Sequence, residues 1–252
     1  MELKNLIAEG VKVDVYESDG SCVKVFKDDE PKSVVLYEAL THSRVEETGY
    51  DKIPELREIA RIKDKWAIIY RFVNGKTFAS IMRENPARTD EYLEKMADLQ
   101  LEIHSLHSGK LSRQKDYLKR SIDSLDMIDD VKKYELLSML AGKEEETKLC
   151  HGEFSPENII EGSDGTFVVD WLKAKQGSPY ADVAKTYLNF CLSHHTEWAE
   201  KYLNIYCRKS GAEPRDIREW LPIVAAAQLK FKRPEERELL LAWIGLTDYG
   251  RN

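Results

Sequence analysis

The amino-acid sequence predicts an α+β protein in which a small antiparallel β region with one helix precedes a mainly helical region. Three patterns indicate this division. Apolar and polar residues alternate in short runs before residue 74, as in half-buried strands. Amphipathic stretches with three- and four-residue spacing dominate from residue 89 onward, as in helices that cover a core. One strand–turn–strand pattern, at residues 158–170, interrupts those helical stretches.

Composition excludes several classes of protein. The 252-residue chain has a net charge of −7, whereas nucleic-acid binding needs basic patches, so we expect no nucleic-acid partner. It has no apolar run of membrane-spanning length and no signal-like amino terminus, which predicts a cytoplasmic protein without a membrane partner. We expect it to be a monomer or a homodimer. Wide spacing of the cysteines predicts reduced thiols rather than zinc ligands or disulfides; they are Cys22, Cys150, Cys191 and Cys207.

The segment from His151 to Trp171 carries the strongest functional signal. Glu153 lies early in it, Asn158 follows five residues later, and Asp170 stands near its end. The Gly-Ser-Asp-Gly sequence between two β-type runs predicts a hairpin, which would place Asn158 and Asp170 at the same end. An amide oxygen and a carboxylate, with room left for water, suit Mg²⁺. Glu153, on the same loop, could then accept a proton from a hydroxyl nucleophile.

The order of base, amide and later carboxylate is that of kinase catalytic centres. The segment resembles the family of aminoglycoside phosphotransferases and choline kinases, whose pattern is His-Gly-Asp, four residues, Asn, then a hairpin and Ile-Asp-Trp. The resemblance implies a two-lobed protein-kinase-like fold, with residues 1–74 as nucleotide-binding lobe and residues 75–252 as helical lobe with catalytic loop and substrate pocket. It also implies ATP or GTP as phosphate donor and Mg²⁺ held by Asn158 and Asp170. Glu153 would then be the catalytic base, with His151 supporting its loop.

The chain departs from the family pattern at Glu153, where the family has Asp. The additional methylene moves the carboxylate by roughly 1.5 Å, and a displacement of about 1 Å can cost about a hundredfold in rate. Two hypotheses stay open: a phosphotransferase, weakened or adapted to a smaller acceptor, and a nucleotide-binding pseudokinase that acts through partners. A protein kinase is disfavoured because Lys173 to Ala181 is too short for an activation segment.

The amino-terminal residues predict a first hairpin. Val11 to Val15 alternates apolar with polar residues, Ser18 to Ser21 has turn character, and Cys22 to Phe26 forms the second strand. Lys24 has apolar neighbours on both faces of that strand, and kinases hold the α and β phosphates with a lysine in such a position. We therefore predict Lys24 for this role, with Lys27 as the alternative.

A helix is predicted from Pro31 to Thr48, with acidic residues before its first turn and Gly49 at its end. The resemblance implies that Glu38, on this helix, orients Lys24. Alternatives for Glu38 are Glu46 and Glu47.

Two further strands are predicted at Ile53 to Leu56 and Trp66 to Val73. We expect a small sheet of five strands, four of which these residues and the first hairpin supply. The strand pattern stops at Asn74-Gly75. By resemblance this is a hinge, where an adenine ring would bind backbone groups near Arg71 and Val73 and the glycine would free the chain to cross lobes. An ordinary strand end explains the same residues equally well.

The remaining chain predicts helices with apolar residues at helical spacing. Their ranges are 89–108, 114–128, 131–140, 182–194, 196–210, 214–231 and 234–246. The resemblance implies that Asp182 anchors the catalytic loop. His104 and His107 lie one turn apart, but no third metal ligand accompanies them, which favours structural histidines.

Trp198, Tyr202 and Tyr206 form an aromatic stripe on one predicted helix. Core packing explains it most simply, whereas cation–π recognition of an ammonium group is the alternative. The acidic net charge also suits a cationic acceptor. The sequence therefore predicts a phosphotransferase whose acceptor is a small hydroxyl compound, with aminoglycosides and amino alcohols as candidates.

Overall fold

The computed structural model of the chain describes residues 2–245 and has mixed α+β architecture. The strands are β1 (Asn5–Glu9), β2 (Val13–Ser18), β3 (Ser21–Phe26), β4 (Leu56–Ile62), β5 (Lys65–Arg71), β6 (Gly75–Thr77), β7 (Lys148–Cys150), β8 (Ile159–Gly162), β9 (Gly165–Val168) and β10 (Lys175–Gly177). The helices are α1 (Lys32–Glu46), α2 (Phe78–Glu84), α3 (Thr89–Ser105), α4 (Gln114–Asp123), α5 (Asp130–Ala141), α6 (Pro179–Leu192), α7 (Thr196–Ser210), α8 (Pro214–Arg218), α9 (Leu221–Leu229) and α10 (Pro234–Gly245). Leu246, the last residue of the predicted final helix, lies outside the described residues.

Contacts along the chain divide it into two compact units. Unit 1 consists of Met1–Glu84 and Pro156–Ala174, and unit 2 of Asn85–Ser155 and Lys175–Asn252. The predicted fold class, with an antiparallel sheet in the amino-terminal part and a helical carboxyl-terminal part, is confirmed. The division into a nucleotide-binding lobe, residues 1–74, and a helical lobe, residues 75–252, stays a prediction, because the two units are defined by contacts and not by function. None of the described helices combines the length and apolar character needed to cross a membrane.

Unit 1 contains the predicted five-stranded antiparallel sheet, in the order β1-β2-β3-β5-β4. Two details of the prediction were wrong. The strand expected at Ile53 to Leu56 instead begins at Leu56 and runs to Ile62, because Pro54 has no N–H to donate within a strand. β1 was missed, since its five residues are all exposed and lack the in–out alternation that marks a half-buried strand.

Both faces of this sheet are apolar, which is what the double-sided pattern around Lys24 predicted. Val23, Val25 and Ile69 pack on one face with buried neighbours. On the other face the side chains of Phe26 and Ile68 pack with buried residues of α1, Val35 and Ala39. Full burial of each such side chain is worth roughly 1.5–3 kcal/mol. The sheet therefore holds α1 firmly against the face from which Lys24 projects.

The predicted hairpin at residues 158–170 is also present in unit 1. β8 pairs with β9 from Ile159↔Val168 to Gly162↔Gly165, and β6 adds a third strand beside β8. Gly75 in β6 needs to be glycine, because a Cβ there would lie 2.2 Å from the Glu161 carbonyl oxygen. The close approach of the two strands explains this glycine, and a hinge at this position stays a prediction.

Unit 2 is built from α3–α10 with one short sheet. In that sheet β7 pairs with β10 in antiparallel register, from Lys175↔Cys150 to Gly177↔Lys148, so the chain enters His151 directly from a paired strand. Helix α9 is buried along its whole length. The single helix predicted over 214–231 was wrong: it is broken into α8 and α9, where Pro222 sits in the first turn of α9 and cannot continue a preceding helix.

Candidate active site

Lys24 and Glu38 form a buried ion pair in unit 1. Lys24 Nζ lies 2.8 Å from Glu38 Oε1, and the Glu38 side chain is 6% exposed. Lys24 comes from the middle of β3, in register with Ile68 of β5, while Glu38 lies on the buried face of α1. The sheet–helix packing therefore brings together the two residues that the sequence analysis paired.

Two of the alternative residues for this pair are engaged elsewhere. Lys27 Nζ donates to Asp14 Oδ2 at 2.6 Å, and Glu46 Oε1 accepts the backbone N–H of Leu56 at 2.7 Å. Tyr70, by contrast, lies at the pair itself, with its hydroxyl 3.5 Å from Glu38 Oε1. The geometry favours Lys24 and Glu38 over the alternatives.

Lys24 also contacts Asp170, because its Nζ donates to Asp170 Oδ1 at 3.0 Å. Burial opposes protonation of the ammonium group, but the charges of Asp170 and Glu38 outweigh it and raise the Lys24 pKa. The lysine is therefore a permanent cation with carboxylates on two sides. An ammonium group fixed in this way can bind phosphate oxygens.

Asp170 and Asn158 lie at the same end of the β8–β9 hairpin. Val169 N donates to Asn158 O at 2.9 Å, which closes the hairpin just beyond the β8–β9 ladder. Asp170 has φ +64° in the left-handed region, a conformation that is uncommon for a residue other than glycine and that clusters at functional sites. The Asp170 side chain is 46% exposed. A carboxylate and an amide at one hairpin end, partly open to water, fit the oxygen ligands that Mg²⁺ prefers.

The two residues predicted near the adenine differ in setting. The Arg71 guanidinium donates to Asp164 Oδ2 at 2.6 Å and lies 4.6 Å from the centre of the Phe167 ring. Val73 is 6% exposed. The Arg71 side chain is thus tied to the β8–β9 hairpin, and binding of an adenine ring by backbone groups near Arg71 and Val73 stays a prediction.

In unit 2, His151 and Gly152 are fixed through their backbone by Asp182. Gly152 N donates to Asp182 Oδ1 at 2.7 Å, and His151 N donates to Oδ2 at 3.1 Å. Gly152 has φ +80°, which glycine adopts without strain. The His151 ring is buried, and its Nδ1 accepts the N–H of Glu153 at 3.2 Å. The loop that carries Glu153 is therefore held by backbone bonds at three successive residues.

Asp182 is the centre of a wholly buried polar cluster. Its Oδ2 also accepts from Gln100 Nε2 at 3.0 Å and from His104 Nε2 at 3.1 Å. Burial tends to raise its pKa, but the hydrogen bonds that the carboxylate accepts from His104 and from the Gly152 N–H outweigh it, so that the pKa is lowered. Asp182 stays ionised, and it anchors the loop as the family resemblance implied.

Two residues that the sequence analysis did not single out hold the Glu153 carboxylate. Asn189 Nδ2 donates to Glu153 Oε1 at 3.1 Å, and Lys185 Nζ lies 3.7 Å from the same oxygen. Both residues project from α6, at three and seven positions after Asp182, which is one face of a helix. Asp182 was already expected to contact the loop that carries Glu153. Polar residues at helical spacing from Asp182 therefore share its face, and this is the sequence signal that could have identified them.

His104, Cys150 and Asp182 place potential metal-ligand atoms within 4.8 Å of one another. Burial raises the pKa of the Cys150 thiol well above its ordinary value, and Asp182 adds to this, whereas metal binding requires the thiolate. His104 uses both ring nitrogens, since its Nδ1 lies 2.8 Å from the Tyr206 hydroxyl. The cluster is explained by hydrogen bonding, which agrees with a structural role for His104.

The aromatic stripe on α7 belongs to the core. Tyr202 and Tyr206 are 0% and 2% exposed, and the Tyr202 hydroxyl hydrogen-bonds to Gln100. Trp198 packs edge-on against Phe190 and stacks on His195. Core packing, the simpler of the two explanations, is confirmed for the two tyrosines, so their rings cannot line a binding surface.

Sequence comparison assigns the fold to a family. A profile described as the phosphotransferase enzyme family, APH, matches residues 53–220. That range includes Asn158, Asp170 and the loop from His151 to Glu153. No curated protein matches the chain in sequence.

Three solved structures share the fold at low sequence identity. A choline/ethanolamine kinase family protein from Mesorhizobium loti is 12% identical, with 97% of this chain and 85% of that chain covered and a TM-score of 0.60. A mutant aminoglycoside 2′-phosphotransferase of type IIIa in complex with GDP is 13% identical, with 99% and 94% covered and a TM-score of 0.64. APH(2″)-IIa in a ternary complex with streptomycin and ATP is 18% identical, with 97% and 90% covered and a TM-score of 0.60.

Proposed function

The chain belongs to the phosphotransferase enzyme family APH, and from this we propose that it transfers the γ-phosphoryl group of ATP or GTP to a hydroxyl of a small molecule. The single observation that carries the proposal is the Lys24–Glu38 pair at 2.8 Å, with Asp170 3.0 Å from the same ammonium group. A lysine paired with a helix glutamate is the arrangement that kinases use to position phosphates. The APH(2″)-IIa and type IIIa structures contain ATP and GDP respectively, which supports either nucleotide.

In this proposal each residue of unit 1 has one task. Glu38 keeps the Lys24 side chain extended from β3, and Lys24 binds the α and β phosphates. Asn158 and Asp170 would hold Mg²⁺, which neutralises charge on the β and γ oxygens when bound. Backbone groups near Arg71 and Val73 would bind the base. Catalysis then consists mainly of positioning and charge stabilisation.

Glu153 has the task of general base. The acceptor hydroxyl gives its proton to the Glu153 carboxylate, the hydroxyl oxygen bonds to the γ phosphorus, and the bond from phosphorus to the bridging oxygen breaks to release ADP or GDP. His151 supports the loop through its ring nitrogen. Asn189 and Lys185 reach the carboxylate from α6, so they compensate for the additional methylene by fixing the longer side chain.

The charge of the acceptor is a separate question. The net charge of −7 favours a cationic acceptor such as an aminoglycoside or an amino alcohol. The buried tyrosines of α7 give no support to that choice.

Nucleotide binding and turnover test the proposal together. We expect Mg-ATP or Mg-GTP to raise the melting temperature, and NTP consumption to appear with at least one member of a panel of sugars, hydroxy acids, amino alcohols and aminoglycosides. Asp170→Asn should abolish the Mg-dependent part of nucleotide binding. Asp164→Asn, on the same hairpin, is the matched control and should retain it.

The outcomes separate the two open hypotheses. Nucleotide binding without turnover on any acceptor would favour the pseudokinase, in which Glu153 does not support catalysis. Mg-dependent binding that survives in Asp170→Asn would contradict the metal assignment. A cytoplasmic location and a monomeric or homodimeric state stay predictions.

A further inference from the structure

Unit 2 contains a cavity of about 300 Å³ beside the amino-terminal end of α10, a volume at the lower end of the range for small-ligand pockets. It is formed by the segment after α4, the end of α9 and the first turns of α10. Its lining residues are Met127, Leu229, Lys232, Arg233, Pro234, Arg237 and Leu240. These residues are apolar or basic, and no acidic residue is among those described as lining the cavity.

The three basic residues of the cavity are not equivalent. Lys232 Nζ donates to Asp126 Oδ2 at 2.7 Å, and Arg233 Nη1 donates to Glu236 Oε1 at 2.7 Å. Arg237 is exposed, and within residues 2–245 it has no carboxylate at ion-pair distance. Two acidic residues in the first turn of α10 already complement the dipole of this helix. The cavity therefore offers the Arg237 guanidinium group to an anion.

A chain of polar contacts connects the cavity to Glu153. Lys185 Nζ, 3.7 Å from Glu153 Oε1, donates to Gln228 Oε1 at 2.8 Å. Gln228 Nε2 donates to Glu236 Oε2 at 2.7 Å, and Glu236 binds Arg233 on the cavity wall. The hydrogen bond that Arg233 donates to Glu236 raises the Arg233 pKa, and the charge of Glu153 adds to that effect. The candidate base and the cavity therefore belong to one connected region of unit 2.

We propose that this cavity binds the acceptor, and that the acceptor carries a carboxylate or phosphate-ester anion next to an apolar group. The inference rests on the proposed phosphoryl transfer and specifies its substrate class. Arg237 would bind the anion through two parallel N–H donors, the geometry in which guanidinium groups recognise carboxylates and phosphates. Met127, Leu229 and Leu240 would cover the apolar group.

A polycationic acceptor does not fit this lining. An ammonium group placed in the cavity would face the Arg237 guanidinium group without an acidic lining residue to pair with it. Like charges at close range cost free energy and lower affinity. The local lining thus favours the opposite charge from the one that the net charge of the whole chain suggested.

Binding measured without nucleotide tests the cavity independently of catalysis. The probes are 3-phenyllactate and phenyl phosphate as anions, phenyllactamide as a neutral ligand and phenylalaninol as a cation. We expect at least one anion to bind about tenfold more tightly than phenyllactamide by calorimetry, as one charge-assisted bond predicts. That anion should shift the labelled methyl resonance of Met127.

Arg237→Gln should reduce the affinity for that anion about tenfold and leave phenyllactamide binding unchanged. Arg215→Gln is the matched control, because the Arg215 side chain is 86% exposed and lies on α8. Comparing the two anions distinguishes a carboxylate site from a phosphate-ester site. The inference is overturned if neither anion binds more tightly than phenyllactamide, or if Arg215→Gln weakens binding as much as Arg237→Gln.

Turnover assays keep this inference separate from the proposed function. Anion binding in the cavity with no ATP or GTP consumption on any hydroxyl acceptor would contradict phosphoryl transfer while leaving the anion site in place. Turnover of phenylalaninol with a kcat/KM above that of 3-phenyllactate would contradict the anionic acceptor and leave phosphoryl transfer in place.

Discussion

The two units hold their candidate site residues in different ways. In unit 1, Lys24 binds both Glu38 and Asp170 directly through charged side chains. In unit 2, Glu153 is held by an amide and an ammonium group of α6, and its loop is fixed by backbone bonds to Asp182. The first arrangement depends on opposite charges at short range, whereas the second depends on a rigid backbone with hydrogen bonds added to it.

This difference predicts how strongly each unit responds to a single substitution. Removing one partner of a buried ion pair leaves the other charge uncompensated, which is costly. Removing one of several hydrogen bonds to a carboxylate on an anchored loop leaves the remaining bonds in place. Single substitutions should therefore have larger effects in the ion-pair cluster of unit 1 than around the Glu153 side chain of unit 2.

The largest effect is expected for Lys24→Met. It removes the cation proposed to hold the phosphates and leaves Glu38 buried without its partner, so kcat/KM for the nucleotide should fall about 100- to 1,000-fold. Steady-state kinetics with the best acceptor from the panel measures the loss. Lys27→Met is the control, because Lys27 lies three residues after Lys24 and pairs with Asp14. This variant should keep most of the activity.

Loss of folding in Lys24→Met would obscure this result. The double variant Lys24→Met with Glu38→Gln removes the orphaned charge and should recover stability without recovering activity. If that folded double variant retains nucleotide turnover near the wild-type rate, the phosphate-binding role of Lys24 is wrong.

A smaller effect is expected from the histidine packed beside the ion pair. Burial lowers the pKa of His42 to about 4, and its Nε2 lies 2.7 Å from the Pro54 carbonyl oxygen. In the unfolded chain the His42 imidazole takes up a proton near pH 6.5. The stability that comes from keeping this ring neutral is therefore fully present above that pH and is lost as the pH falls towards 4. The loss from this residue is roughly 3 kcal/mol between pH 7 and pH 4.

Urea unfolding at pH 7 and at pH 4 measures that difference. His42→Gln preserves a donor for the Pro54 carbonyl and removes the titrating ring, so its stability should fall less on acidification than that of the wild type. Equal losses in the two proteins would show that His42 is not protonated on unfolding.

The smallest effect is expected in unit 2, for Lys185→Met. Lys185 is a positioning residue that reaches Glu153 Oε1 from α6, so its loss should lower kcat about tenfold and leave the KM for nucleotide unchanged. A shift of the acidic limb of the kcat–pH profile should accompany it, because the charge near the base has changed. Lys185→Arg should restore part of the rate.

Lys143→Met provides a matched control, since its side chain is 20% exposed and pairs with Glu219 in the same unit. A tenfold loss in both variants would indicate general destabilisation. A larger loss for Lys185→Met than for Lys24→Met would reverse the comparison between the two units and show that the base, rather than phosphate binding, dominates catalysis.

Much of the fold followed from local patterns in the sequence. Alternation predicted β2 and β3, start and end signals predicted α1, helical spacing predicted most of the later helices, and the Gly-Ser-Asp-Gly turn predicted the β8–β9 hairpin. These features are set by neighbours along the chain, through turn chemistry and side-chain period. Prediction failed at β1, which is exposed along its length, and at the break before α9, where a proline divides one apolar pattern into two helices.

The amino-acid sequence by itself determined the order of the site residues, because Glu153, Asn158 and Asp170 lie within one short segment whose hairpin is local. It also identified Lys24 by the apolar residues around it. Only the tertiary structure decided which glutamate pairs with Lys24, which residues of α6 hold Glu153, and where the basic cavity lies. These contacts join residues far apart in the chain, and side-chain distances across packed elements depend on the whole fold rather than on any local pattern.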